Sequence, residues 1–225
     1  MERPIIYYPI AVMLLLLLML FLIPLMMLLF LGLIGGAFMK VGLGPIQTFL
    51  LLISSLIGSL VNIPVAERKT YEVVDMSDIP PLSFLYPRPI KVEKRIIIAV
   101  NLGGAIIPTL FSLYLLYRVG LRIGILVSLL IVVVASYATS RPIRGVGIAM
   151  PFFISPIAAA LSSLIFAPNI AGISAYISGT LGTLIGADLL RLKDLERIGS
   201  GLVSIGGAGV FDGIFLSGAL AVLLS

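Results

Sequence analysis

The chain has 225 residues, of which 60% are hydrophobic and 11% charged, with a mean hydropathy of +1.22 and a formal net charge of +5. A soluble domain is about half apolar and a quarter charged, so this composition excludes a soluble globule and specifies an integral membrane protein. The absence of Cys and His excludes disulfides, thiolate chemistry, a Ser–His hydrolase and a His-ligated zinc site.

At roughly 20 apolar residues per span, seven transmembrane helices are predicted. The first covers Tyr8–Ile34, with Tyr7 and Tyr8 suited to an interfacial belt. No small-residue cleavage site follows its apolar run, so it is a retained helix and not a signal peptide. Pro24 is expected to kink it. The second helix covers Val41–Ile63. The one sizeable polar segment follows, "AERKTYEVVDMSDIPPLSFLYPRPIKVEKR" from Ala66 to Arg95. Within it "KTYEVV" and "PIKVEK" alternate weakly around a Pro-rich middle, which leaves a small β-hairpin and an irregular loop both open. The remaining helices are Ile96–Tyr117, Leu121–Thr139, Ile148–Ala167, Ile170–Leu190 and Gly201–Leu224.

The expected fold class is therefore all-α: one polytopic helical domain over residues 1–225, multi-pass in the cell membrane. With the N-terminus inside, the inner segments carry twelve Lys and Arg and the outer ones three. That bias places the N-terminus and the 66–95 loop in the cytoplasm and the C-terminus outside. Topology accounts for most of the basic residues, so nucleic acid is not an expected partner; the lipid bilayer is. An internal similarity relates "VNLGGAIIP" (Val100–Pro108) to "VSIGGAGVF" (Val203–Phe211). It is read either as a parallel duplication or as ordinary small-residue helix packing.

Two acidic residues fall in or beside the apolar spans, Asp188 in "LIGADLLRLKDLER" and Asp212 in "GAGVFDGIF". An intramembrane carboxylate is costly and is a functional-site candidate by default. Two carboxylates in a poorly solvated site can share one proton and act as general acid and general base on a water. For Asp188 the plain alternative is an i,i+3 ion pair with Arg191. Straight helices would place the two carboxylates at depths more than about 10 Å apart, too far for a shared water. Gly199, Gly201, Gly206, Gly207 and Gly209 precede Asp212, and a stretch that rich in glycine can unwind where it lines a cavity. On that basis Gly207→Leu and Gly209→Leu are expected to disrupt the protein, and a change at Gly218 to matter less. Gly206, Gly207, Gly209 and Gly213 are the candidate backbone supports. Asn101 and Thr109 are candidates to face the same cavity, against an ordinary role in helix packing. Arg141 and Arg144 could pair with Asp188 or meet lipid headgroups. No metal or cofactor site is expected, since no phosphate-binding loop, nucleotide fingerprint or metal cluster occurs.

The paired acidic motifs resemble those of the GxGD intramembrane aspartyl proteases, the presenilin and signal peptide peptidase group. There one aspartate lies on the sixth helix and the other follows a Gly-x-Gly on the seventh. Here "GAGVFDG" supplies Gly207, Gly209 and Asp212 with two residues between the second glycine and the aspartate. Asp188 follows Ala187 where that group carries Tyr, and the eighth and ninth helices with their Pro-Ala-Leu element have no counterpart. The elements "NLGGAIIP", "IGADLL" and "GGAGVFDGIFL", with the length and helix count, resemble an uncharacterised archaeal and bacterial membrane protein family, domain of unknown function 1614. That resemblance implies a fold and no activity. The expected functions are a diaspartyl hydrolase acting through Asp188 and Asp212 on a membrane-embedded peptide, or a transporter or channel in which Asp212 binds a proton or cation within a glycine-broken helix. A non-catalytic membrane partner is the third class.

Overall fold

The computed structural model describes residues 9–73, 91–143, 147–197, 201–207, 214 and 217–225. Helix α1 (Pro9–Lys40) is 32 residues long, about 48 Å at 1.5 Å per residue, and continues through Pro24. The sharp change of direction comes later, where a 116° bend separates Gly32–Lys40 from α2 (Pro45–Gly58). Pro45 opens α2, and the Gln47 side chain accepts a hydrogen bond from Gly44 N at 3.0 Å. Among the described side chains of α1, Ile34, Ala37 and Phe38 are buried, and Val41 just beyond its end is buried with them. Their i, i+3, i+4, i+7 spacing makes one stripe. It meets Phe111, Leu115, Tyr176 and Val222 in the main core, where the Phe111 and Tyr176 rings stand edge to face at 4.9 Å.

Strand β1 (Asn62–Val73) pairs antiparallel with β2 (Lys91–Asn101), from Asn62 opposite Asn101 to Val73 opposite Lys91, with a bulge between Pro64 and Ala66. The hairpin thus exists, and it is longer than "KTYEVV" and "PIKVEK" suggest. It takes the last residues of the predicted second helix and the first of the third. The reason lies in periodicity: Ile96 and Ile98 are buried while Ile97 is exposed, the two-residue alternation of a strand.

After β2 a π-turn (Leu102–Ile106) leads into α3 (Ile107–Val119), followed by α4 (Ile123–Thr139). A short hairpin of β3 (Arg141–Ile143) and β4 (Gly147–Ala149) precedes α5 (Ile154–Phe166). Helix α6 (Ala171–Thr183) runs on as a π-turn (Leu184–Asp188) and a 3-10 segment (Leu189–Arg197). Strand β5 (Gly201–Ile205) and α7 (Ser217–Leu224) complete the chain. Strand β5 joins β2 in parallel, Ile96 opposite Gly201 through Val100 opposite Ile205, giving a sheet of order β1-β2-β5.

The fold is therefore mostly helical, and the all-α expectation is corrected by five strands among the described residues. The predicted fifth and seventh helices lose their first residues to β4 and β5, because a run of about five apolar residues has the same hydropathy in either conformation. Two helical runs, Leu102–Val119 and Pro168–Asp194, are long and apolar enough to cross a membrane, or three if the bent α1–α2 pair is one span. Small residues bring α6 against α4: a Cβ on Gly182 would lie 2.7 Å from Val132 Cβ, and one on Gly186 2.4 Å from Val133 O.

The internal similarity begins on β2 in its first half and on β5 in its second, two strands that pair in parallel, and a Gly-Gly follows each strand. The two turns touch backbone to backbone, since a Cβ on Gly104 would lie 1.9 Å from Gly206 O.

Candidate functional site

The end of α6 is where the site forms. In an α-helix, residues five apart point about 140° away from each other. A π-turn closes i to i+5 and brings such residues back into line. The Leu184–Asp188 π-turn puts Thr183, Ala187 and Asp188 on the wall of one cavity of about 320 Å³. Other walls come from β4 and Met150, from Leu192, from Leu202 to Gly207, and from Ile214. The lining is apolar apart from Asp188, Thr183, Ser204 and exposed backbone. Asp188 is the only ionisable residue among the described residues that line it.

Asp188 Oδ2 accepts a hydrogen bond from Gly206 N at 3.2 Å. Gly206 has φ +71°, a left-handed conformation natural to glycine. A Cβ there would also lie 2.8 Å from Ala105 Cβ. The ion pair predicted between Asp188 and Arg191 does not form. Arg191 turns to the end of α4, donating to Tyr137 O at 2.7 Å, Ser140 O at 2.9 Å and Ser140 Oγ at 3.2 Å, and pairs with Asp194 at 3.0 Å. Its guanidinium also sits 4.2 Å over the Tyr137 ring. Among the described residues no cation pairs with Asp188.

Gly206 and Gly207, two of the candidate backbone supports, are among the residues that line the cavity. Their approach is a strand and a turn, so the stretch leading to Asp212 is not helical over Gly201–Gly207. Gly209, Asp212 and Gly213 lie outside the described residues, as does Arg144. Asn101 and Thr109 are not among the residues that line this cavity. Asn101 is instead buried and fully engaged: its Nδ2 donates to Ser59 O at 2.7 Å and Asn62 Oδ1 at 3.1 Å, and its Oδ1 accepts from Gly104 N at 2.7 Å. It caps the π-turn into α3 and ties that turn to the hairpin. Thr109 Oγ1 is buried without a hydrogen-bond partner. Arg141 is exposed on β3.

Sequence reasoning passes over Thr183 and the hydroxyls around it, Ser136, Ser155 and Ser217. Single hydroxyls are common in apolar helices, and only the packing brings these four together. It also passes over β4, whose apolar residues look like the start of a helix.

These features define a mostly helical protein with segments long enough to cross a membrane and a carboxylate-bearing internal cavity between its helices and its sheet. Residues 56–224 match the family described as "Protein of unknown function (DUF1614)", and the chain belongs to that family. No curated protein and no solved structure matches it. The likeness to GxGD proteases accordingly rests on the motif residues alone.

Proposed function

We propose that the protein is a multi-pass membrane hydrolase of diaspartyl type, with Asp188 and Asp212 as the acid–base pair and an apolar, membrane-embedded peptide as substrate. One observation carries this reading. The chain on both sides of Asp212, at Gly207 and at Ile214, lines the same cavity as Asp188. The hydrogen bond from Gly206 to Asp188 draws the start of the glycine stretch towards the end of α6, which supports an approach closer than two straight helices would allow. Peptide hydrolysis also requires an extended substrate, because a helix hides its carbonyls in its own hydrogen bonds. Strands β4 and β5 both line the cavity, and each has an edge without a strand partner among the described residues. An extended segment can add to such an edge through main-chain hydrogen bonds. In this reading seven segments cross the bilayer, with the N-terminus cytoplasmic and the C-terminus outside.

The experiment is cleavage of a membrane-embedded reporter peptide by the purified, reconstituted protein. Asp188→Asn and Asp212→Asn should each abolish it, since one carboxylate cannot serve as both acid and base. Absence of cleavage by the wild type under all lipid conditions tried overturns the hydrolase reading. A second reading is favoured by the strand and turn that replace helix over Gly201–Gly207, the broken geometry in which transporters hold ions. There Asp212 carries a proton or cation. Flux into proteoliposomes should then be lost in Asp212→Asn and largely kept in Asp188→Asn.

A further inference from the structure

Four buried hydroxyls from four helices meet beside the Asp188 cavity. Thr183 Oγ1 lies 2.6 Å from Gly179 O, 2.8 Å from Ser155 Oγ and 3.2 Å from Ser217 Oγ. Ser136 Oγ lies 2.7 Å from Ser155 Oγ. A hydroxyl donates once and accepts twice. The single Thr183 proton goes to Ser155 Oγ or to Gly179 O, and the Thr183 oxygen can accept from Ser217. Ser155 can in turn donate to Ser136 or to Met150 Sδ at 3.9 Å. Thr183 lines the cavity yet spends its proton inside the cluster, so its contribution there is to hold the walls in place.

What it joins is α6, which leads into the turn that carries Asp188, and α7, which follows Asp212 in the chain. Thr183 is five residues before Asp188 and Ser217 five residues after Asp212. The two helices also approach closely at this level: a Cβ on Gly179 would lie 3.1 Å from Ser217 O, and one on Gly218 3.0 Å from Tyr176 Cε2. We infer that Thr183 and Ser217 are positioning residues of the site, a clasp that locks α6 to α7 at equal chain distance from each carboxylate, with Ser155 and Ser136 as its buttress. The consequence for catalysis rests on the diaspartyl reading above; the clasp itself does not.

The chain contains no Cys, so introduced cysteine pairs report proximity without background. In membrane vesicles, an Asp188→Cys/Asp212→Cys pair is expected to cross-link in the otherwise unchanged chain and with Thr183→Ser added. With Thr183→Val, which removes the hydroxyl that joins Ser155 to Ser217, the yield should fall by about fivefold or more, the population shift that one lost hydrogen bond produces. A control pair, Ser163→Cys/Ser174→Cys, replaces hydroxyls 3.0 Å apart across α5 and α6 and should cross-link undiminished in the same background. Ser217→Ala removes a donor and leaves no unpaired group, so it repeats the test if Thr183→Val does not fold. An unchanged 188–212 yield in both variants overturns the clasp and leaves the diaspartyl reading standing. Loss of the control cross-link together with the 188–212 one in both variants also overturns it, because the hydroxyls then serve the fold and not the site. Failure of the 188–212 pair in the unchanged chain, with the control pair formed, overturns the diaspartyl reading first.

Discussion

A carboxylate with no cation beside it is expensive to keep inside a protein. Asp188 is tolerated because its one hydrogen bond comes from a backbone amide that a substitution at Asp188 does not disturb. Asparagine keeps an acceptor for Gly206 N and removes the charge. Detergent-solubilised Asp188→Asn is therefore expected to melt no lower than the wild type while losing activity, the pattern of a residue kept for function against stability. A clear drop in its thermal midpoint would instead make Asp188 a structural residue. The glycines behave in the opposite way. Gly206→Ala meets the left-handed backbone, costing about 1–2 kcal/mol. It also forces overpacking against Ala105 and Gly104, about 1–3 kcal/mol more. A thermal shift assay should report severe destabilisation. Gly207→Ala should be comparably severe, with its Cβ 2.8 Å from Asn62 Oδ1. Gly218, where a change is expected to matter less, is itself tight, since a Cβ there would lie 2.3 Å from Thr180 Oγ1. Distance from the site does not make a position roomy when two helices touch there.

Among the elements, the 3-10 segment after Asp188 has few means of its own to stay in place, and Arg191 supplies them. Its fork takes up carbonyl oxygens at the end of α4, groups that no intrahelical donor satisfies. Charge-assisted hydrogen bonds contribute about 1.5–3 kcal/mol each when made, so Arg191→Ala should lower the thermal midpoint measurably. Arg191→Lys should recover little, because an ammonium cannot reproduce the planar fork or its stacking on Tyr137. Equal stability of the Lys variant and the wild type would show that charge alone suffices. This arrangement also explains what could be read beforehand. The helices α4 and α6 were legible as long apolar runs near their observed bounds. Strand β2 was legible only at its charged start and β5 not at all, because Ile96–Val100 and Gly201–Ile205 have a hydropathy that suits either a buried strand or the end of a span. The aspartates stood out by their rarity among apolar residues. Their surroundings did not, since Gly206 lies 18 residues from Asp188, and only the π-turn and the β2–β5 pairing bring the two together.

At the scale of the molecule, the sheet constrains how the chain can sit in a bilayer. An open sheet edge facing lipid leaves amides and carbonyls without partners, and such edges are not found in the hydrocarbon region. Strand β1 is an edge strand that carries Glu67, Arg68 and Lys69, with Arg95 paired to Glu67 at 3.4 Å across the hairpin. That end must lie at or beyond the headgroups. The cavity shares β5 with the sheet, so Asp188 is expected near the same surface, where the proposed hydrolase would find both water and lipid. In the proposed orientation this is the cytoplasmic surface, since the segments assigned to the inside hold twelve of the fifteen Lys and Arg. Ser83 lies in the chain that joins β1 to β2, and Ser225 lies at the far end of α7, which leads away from the cavity. Single cysteines at these two positions, in a chain otherwise free of cysteine, test the arrangement with a membrane-impermeant maleimide. In intact cells Ser225→Cys should be labelled at once, and Ser83→Cys only after the membrane is opened. Labelling of both from outside would place the end of α7 and the hairpin on one face, which the proposed order of seven spans could not satisfy. Labelling of Ser83→Cys alone would invert the molecule and put the cavity at the outer surface, where the charge bias argues against it.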